Sequence, residues 1–523
     1  QLQIDRATAK NYFDNNSKYT IIDITKPLDE SAQNTLDNCK ICLVNLEIIK
    51  EENQALEAIY INSMQEGNII NLSKQALRKD DFKSWSLLNP KHFQQSIVET
   101  GYIYSLSPFS GQILRSNQSF SIHYCRILQL LIYRFEDIEV FYLISGGWSG
   151  GKICIFFPKN ELIINLSPEW GSWLKLPEII NEFKSNAVSC SNQFRAYLLS
   201  KNPKKLANIF GAVPNLGHYF WNDVTGVYYL YENNLLEKID LFLIETQKFL
   251  DIKDIFPEIS QDKLIYMSEY QDNFRMTLEN NYFLVRVTGS YIKEDLANRI
   301  YQASIQKCST GFIQAIADAK QHFPLLWINL RGHNKSWISQ VDGYANIVKK
   351  LSESYPNIGI FFDGYSSEKE TMEKIISLIP PNVKTYNGLD LAIHETIPWS
   401  FAIDSYIAVI GSGLTLVSWI ASKKGVAHSE KDHYGQMIWW SEVRENSIAP
   451  ALVPIDCIKE IEGSYPDKGW LNYDCDWQVI YEEIAKVISS LAISREAQDS
   501  DNTGVFNAIT IIGGDNEVDA NST

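Results

Sequence analysis

Between residues 325 and 428 the chain repeats one pattern four times: a short β-rich apolar run, a polar loop, then apolar residues at helical spacing. Residues 325–330 precede a stretch in which Val341, Tyr344, Ala345, Val348 and Leu351 share a helical face, and Pro356 stops it. Residues 358–362 lead to a helix opened by Ser367, with Glu370 at capping-box spacing and Met372, Ile375, Ile376 and Ile379 as its apolar stripe. Residues 383–386 form the third run, followed by a helical stretch that Pro398 should break. Residues 406–410 pass through Gly411-Ser412-Gly413 into a helix over 414–424, closed by Lys423, Lys424 and Gly425. Residues 426–428 are the fifth run. Strands alternating with helices predict a parallel, doubly wound sheet.

A less regular unit of the same kind precedes it. Strands are expected over 206–213, 239–244, 264–270 and 283–288, with helices over 219–235 and 293–306. Residues 1–190 fit neither unit, and alternating stretches at 119–123 and 138–143 suggest an α+β accessory region there. The expected domains are thus 1–190 (accessory), 191–308 and 309–495 (the two strand–helix units), the second ending in a helix over 478–491. Residues 496–523, rich in Asp, Asn, Ser and Gly without amphipathic period, read as a flexible acidic tail.

The 523-residue chain is longer than one core usually organises, and 45% apolar residues suit folded domains. Its formal charge of −16 disfavours nucleic acid, whose phosphates the average field would repel. A small anion remains compatible, because a helix N-terminus and one or two cations outweigh a distant surface charge. No apolar run approaches the roughly 20 residues needed to span a bilayer. Eight cysteines (Cys39, Cys42, Cys125, Cys154, Cys190, Cys308, Cys457 and Cys475) are scattered through the chain, unlike a small disulfide scaffold. With no apolar leader segment at the start of the sequence, these features lead us to expect a cytoplasmic protein.

The densest chemistry lies in Ile407-Ala408-Val409-Ile410-Gly411-Ser412-Gly413-Leu414-Thr415. A strand that ends in small residues and turns into a helix lets backbone N–H groups approach a phosphate. Leu416 stands where the third glycine of the dinucleotide fingerprint would be, and an ordinary tight turn has the same spacing. The run from Ala402 to Ser429, with Asp404 before the strand and Lys423-Lys424-Gly425-Val426 opening the next, resembles the donor half of GT-B glycosyltransferases, nearest to the heptosyltransferase-like enzymes of bacterial surface polysaccharide synthesis. Those enzymes carry Asp-Ser-Gly-x-x-His and Gly-Lys/Thr-Pro at equivalent places. Leu414-Thr415 and Val426 depart from both, so the match is to the fold. The resemblance implies an α/β protein of two Rossmann-like domains (GT-B) with an N-terminal α+β accessory region.

Five of the eight histidines (His218, His333, His394, His428 and His433) fall in expected loops at or just beyond C-terminal strand edges, where open α/β sheets bind ligands. In Leu330-Arg331-Gly332-His333-Asn334-Lys335, Arg331 has the fork geometry for a diphosphate and Lys335 adds a point charge. A charged surface loop has the same composition. Asp363-Gly364-Tyr365 ends the next strand, Asp363 serving as a cap or a ligand contact. Arg331, His333, Asn334, Lys335, Asp363, Tyr365, His394, Gly411, Ser412, Gly413, Leu414, Thr415 and His428 form the expected donor-binding set. In the upstream unit, Asn215, Gly217 and His218 follow the first strand, where many inverting GT-B enzymes hold the general base. His218 suits that role by its ordinary pKa, with Asp223 to orient or replace it.

Three other motifs carry less. Gly146–Lys152 has P-loop spacing, but Ile153 stands where Ser or Thr must bind magnesium and a β-rich run follows, as in a hairpin. Asp474-Cys475-Asp476 precedes the last helix, where an Asp caps. Cys39 and Cys42 lack a second cysteine pair for zinc. The expected function is transfer of a sugar from a nucleotide-diphosphate donor to a hydroxyl of a glycan, glycolipid or protein acceptor, with inversion, without metal, and with no cofactor besides the nucleotide sugar. The rival is a catalytically silent carbohydrate- or nucleotide-binding protein using the same cleft.

Overall fold

The computed structural model describes residues 4–50, 97–98, 100–124, 128–147, 150–167, 174–245, 249–268, 272–462 and 470–512. It divides into two compact units, residues 1–299 and 300–523.

The first unit holds a two-stranded antiparallel ribbon (β2 Ile103–Leu106, β3 Ile113–Ser116) and a largely antiparallel six-stranded sheet, ordered β1-β8-β7-β6-β5-β4 (β1 Thr20–Asp23, β4 Ser119–Tyr124, β5 Leu128–Glu136, β6 Val140–Gly146, β7 Gly151–Phe157, β8 Leu162–Asn165). Strand alternation sends Phe120, Ile122, Leu130, Ile132 and Ile144 to one face, where the helix Leu176–Ser189 covers them with Ile179, Ile180 and Phe183. Gly146 and Gly151 close the β6–β7 hairpin, which accounts for the P-loop-like spacing; Trp148 and Ser149 lie outside the described residues. The same unit carries a four-stranded parallel sheet, ordered β11-β10-β9-β12 (β9 Lys205–Phe210, β10 Leu241–Ile244, β11 Leu264–Tyr266, β12 Tyr282–Val285).

The second unit is built on a parallel six-stranded sheet, ordered β15-β14-β13-β16-β17-β18 (β13 Leu325–Asn329, β14 Gly359–Gly364, β15 Lys384–Leu389, β16 Ser405–Val409, β17 Lys424–His428, β18 Ala451–Leu452). Counted from its first strand this order is 3-2-1-4-5-6, the doubly wound dinucleotide-binding order. Both faces are covered, so the strands read as continuous apolar runs. Leu326 and Ile328 face the helix Gln340–Ser354 through Tyr344, Ile347 and Val348. On the other face Trp327 packs at a tilt on Phe361, which stacks on Trp399. Two Rossmann-like parallel sheets in series behind an α+β region make this a GT-B class of fold.

Several local expectations are corrected. The helix after β14 starts as a 3-10 turn, Ser366–Glu368, and continues over Lys369–Leu378 without a capping box, because Ser367 Oγ donates to Glu368 Oε1 at 2.8 Å. Pro398 does not break its helix, which runs Ile393–Ala402. The amide that Pro398 lacks would have bonded the carbonyl of His394, and the Cys308 thiol stands nearest that carbonyl, at 3.3 Å, with Ser304 O as a second acceptor at 3.5 Å. The chain after Gly411 forms a 3-10 turn Ser412–Leu414 and a π-helical turn Thr415–Ile420, and β17 already begins at Lys424. Ser422, at φ +50°, makes the left-handed turn expected of Gly425, and Lys423 and Lys424 lie beyond the helix. The last helix spans Trp477–Ile512, past the expected end at 491, since propagation adds a hydrogen bond for each residue fixed; residues 513–523 lie outside those described. Its Ile480, Ile484 and Ile488 join the core of the second unit. No described helix is long and apolar enough to cross a membrane.

Candidate functional site

In an open parallel sheet the crevice forms where strand order reverses, beyond the C-terminal ends of the two strands that diverge. In the second unit that point lies between β13 and β16. β13 ends in Asn329, whose Nδ2 donates to Asp363 Oδ2 at the end of β14, 2.7 Å away. Its Oδ1 is buried without a hydrogen-bond partner and faces Gly413, where a Cβ would come within 2.6 Å of it. Thr415 Oγ1 is likewise buried and unpartnered. Burial pushes the Asp363 carboxyl up to about 6, against the bonds from Asn329 and Gly364 that favour its charge.

The loop after β13 turns through Lys335, at φ +48°, and buries that side chain. Its Nζ donates to Ile410 O at 2.9 Å and lies where a Cβ on Gly411 would fall, 2.6 Å away. Only glycine, here at φ +115°, fits between them. Burial lowers the ammonium pKa to about 7, Arg331 adds to the shift, and Glu430 opposes it. The Trp470 ring stands 5.8 Å from the same Nζ. Glu430 is bonded by His433 Nδ1 and by Ser429 Oγ; burial raises its pKa, but these donors and Lys335 outweigh it and hold the carboxylate below its usual range.

Of the sequence-predicted donor residues, Lys335, Asp363, Gly411, Gly413 and Thr415 converge on this crevice, and exposed Ser412 stands in the turn between the two glycines. Arg331 is half-buried and folds back on its own loop, its Nε donating to Asn334 O at 2.6 Å and its Nη2 to Asn334 Oδ1. His333 packs edge-on against exposed Tyr365. Leu414 enters the apolar core, and its N–H is taken by Gly411 O at 2.9 Å. His394 sits in the first turn of the helix Ile393–Ala402 instead of a loop. His428 is no surface ligand. It ends β17 fully buried, with Nδ1 2.6 Å from Tyr473 OH and Nε2 3.3 Å from Tyr344 OH, and burial pushes its pKa down to about 3. Asn329, Glu430 and Trp470 were missed. A polar residue closing an apolar strand marks Asn329, whereas Trp470 comes from more than 130 positions away and has no local signal.

The first unit has its own reversal point, between β9 and β12. Asn215 there is committed to backbone, its Oδ1 accepting from Gly217 N at 2.9 Å and His218 N at 3.3 Å. His218 is half-buried, stacked on Trp221, with Nδ1 2.7 Å from Asn222 Oδ1. Burial lowers its pKa to about 4, partly opposed by Asn222, and Arg286 lowers it further. The orienting residue is therefore Asn222, not Asp223. Asp223 is 1% exposed and held by Arg286 through Oδ1 at 2.9 Å and Oδ2 at 3.3 Å. The segment is seated closely: a Cβ on Gly226 would stand 2.1 Å from Val287 O, and Asn222 Nδ2 donates to Gly289 O at 3.0 Å.

Asp474 accepts from Trp337 Nε1 at 3.1 Å, and Asp476 caps the last helix through Gln478 N at 3.0 Å, so both are structural. Among the described residues no group of three metal-ligating side chains gathers, and the described cysteines are free thiols.

The second unit is thus a doubly wound sheet with a crevice at its reversal point, and comparison with known proteins bears on the fold alone. No family model matches the chain, and no curated protein matches it. Among solved structures it is similar to a glycosyl transferase family 9 protein from Veillonella parvula (11% identity, 56% of this chain and 97% of that one, TM-score 0.32). It is also similar to the ADP-heptose LPS heptosyltransferase II of E. coli (9% identity, 55% and 99%, TM-score 0.32). The Gap123 glycosylation-associated complex of Streptococcus agalactiae matches over 79% of this chain and 80% of that one, at 12% identity and TM-score 0.23. The fold assignment itself rests on the two parallel sheets.

Proposed function

We propose that the chain is a glycosyltransferase that binds a nucleotide-diphosphate sugar at the β13–β16 crevice and passes the sugar to a hydroxyl of a glycan, glycolipid or protein acceptor. The observation that carries this reading is the crevice itself: a buried lysine and a Gly-x-Gly turn beside two unpartnered buried polar atoms, Asn329 Oδ1 and Thr415 Oγ1. Lys335 and the N–H groups of Ser412 and Gly413 would take the diphosphate, and the buried polar atoms the rest of the nucleotide sugar. His218, neutral and oriented by Asn222, would accept the acceptor's proton. Inversion, metal independence and a cytoplasmic setting belong to the same proposal.

One observation favours the rival, silent binding protein. Asp223, the alternative base, is buried and held by Arg286. Incubating the protein with UDP-, GDP-, ADP- and CMP-sugars and measuring binding and donor hydrolysis separates the two. Turnover with added EDTA supports the proposal, binding without turnover supports the rival, and no binding of any nucleotide sinks the donor site.

A further inference from the structure

The antiparallel sheet of the first unit has a second face, and one end of it is polar. Strand alternation puts Ser121, His123 and Gln129 opposite the face that packs on the helix Leu176–Ser189. His123 and Gln129 are partners in the β4–β5 register. Ser145 pairs with Leu131, one diagonal step from Gln129 on the same face. Gln129 Nε2 donates to Ser121 Oγ at 2.6 Å.

This polar end meets the C-terminal edge of the parallel sheet. His123 Nε2 lies 3.6 Å from Glu245 Oε2, the residue after β10. Asn273 Nδ2 donates to Glu245 Oε1 at 2.5 Å, and Arg286 beyond β12 donates to Gly147 O at 2.7 Å. Three atoms of the patch are buried without a hydrogen-bond partner: Gln129 Oε1, Ser145 Oγ and Asn273 Oδ1. Their residues are 2%, 0% and 4% exposed. Folded proteins rarely leave such groups unpaired, because each forfeits its bonds to water. The His123 side chain, 37% exposed, keeps one end of the patch open to solvent.

Two of the three atoms only accept and the third is a hydroxyl, so the missing partner must bring donors. A phosphate or carboxylate brings acceptors only, whereas each hydroxyl of a sugar brings a donor. We propose that this patch binds a neutral, hydroxyl-rich saccharide, with Gln129 and Ser145 supplied by the antiparallel sheet and Asn273 and Glu245 by the edge of the parallel one. That the saccharide is the acceptor rests on the transferase reading; that it binds here does not.

The test presents the full chain to an array of neutral oligosaccharides ending in glucose, galactose, N-acetylglucosamine or N-acetylgalactosamine. The best binder is then titrated calorimetrically against the wild type and against Ser145→Ala, Gln129→Leu and Asn273→Ala. One or more oligosaccharides should bind, and each substitution should weaken binding about tenfold, the loss of one hydrogen bond to a buried group. Ser145→Ala removes a single oxygen and stays informative if Gln129→Leu does not fold. Absence of binding across the array, or wild-type affinity in the folded variants, overturns the proposal. Saccharide binding in a chain that binds no nucleotide sugar supports the patch and overturns the transferase reading instead.

Discussion

His218 reaches its site as a neutral imidazole, because burial brings its pKa to about 4. A base that weak pulls less on an acceptor proton than one poised near neutrality, yet it stays unprotonated over a wider range. The acid limb of the kcat/KM profile is therefore expected near pH 4, and not near the ordinary histidine value. His218→Ala should remove that limb and lower turnover by about 10²–10⁴ while nucleotide-sugar affinity holds. A limb near 6.5, or normal turnover in the variant, would assign the base elsewhere.

Lys335 is shifted in the same direction, but its part in the proposed site needs the charged form. Its folded pKa, about 7, lies below the model-peptide value of 10.5, so the folded chain binds fewer protons between the two. The cost of burying the charge is present in full below pH 7, and stability rises as pH increases from 7 toward 10.5. Affinity for a nucleotide sugar, whose diphosphate keeps its charge throughout, should fall between pH 6 and 8. Lys335→Met should flatten that slope in a calorimetric titration; an unchanged slope would remove Lys335 from the site.

At the scale of elements, the two crevices are made by close approach. The helical segment bearing His218 and Asn222 rests on the end of β12 because Gly226 has no side chain to hold it off Val287 O, 2.1 Å from where a Cβ would stand. Gly226→Val should shift this segment and destabilise the unit by about 1–3 kcal/mol, read as a lower midpoint in denaturant, with loss of turnover beyond the loss of folded protein. The same scale shows what the sequence could carry. The apolar runs of β13, β14 and β16 were legible because both faces of a parallel sheet are buried. The helix after Gly413 was not, since a 3-10 turn passing into a π turn leaves no mark on the spacing of apolar residues. The burial of His428 was equally hidden, set by Tyr473 and Tyr344, 45 and 84 positions away. Asp223 looked like a partner for His218 by proximity in sequence, and Arg286, 63 positions on, claims it.

For the whole molecule, the division into two compact units separates the two proposed chemistries: the crevice proposed for the nucleotide belongs to residues 300–523, and the histidine and the patch proposed for a saccharide to 1–299. A chain of this organisation need not unfold in one step. A bound nucleotide sugar should raise the melting temperature of one calorimetric transition, by mass action on the unit that holds it, and a bound oligosaccharide should raise the other. Two ligands that shift a single shared transition equally would show instead that the units unfold together.

Pro398 and Cys308 are ninety positions apart, yet they answer one missing bond. The proline withholds the amide that His394's carbonyl would have used, and the thiol stands nearest that carbonyl. Each residue is thereby a condition on the other, so the two should change together if they change at all. Cys308→Ala alone leaves an orphaned carbonyl, and Pro398→Ala alone gives it two suitors. The double substitution restores an ordinary helix with no need of sulfur. A double-mutant cycle on thermal stability should thus return a coupling of about 0.5–3 kcal/mol in favour of the pair, and strictly additive effects would show that the thiol merely passes nearby.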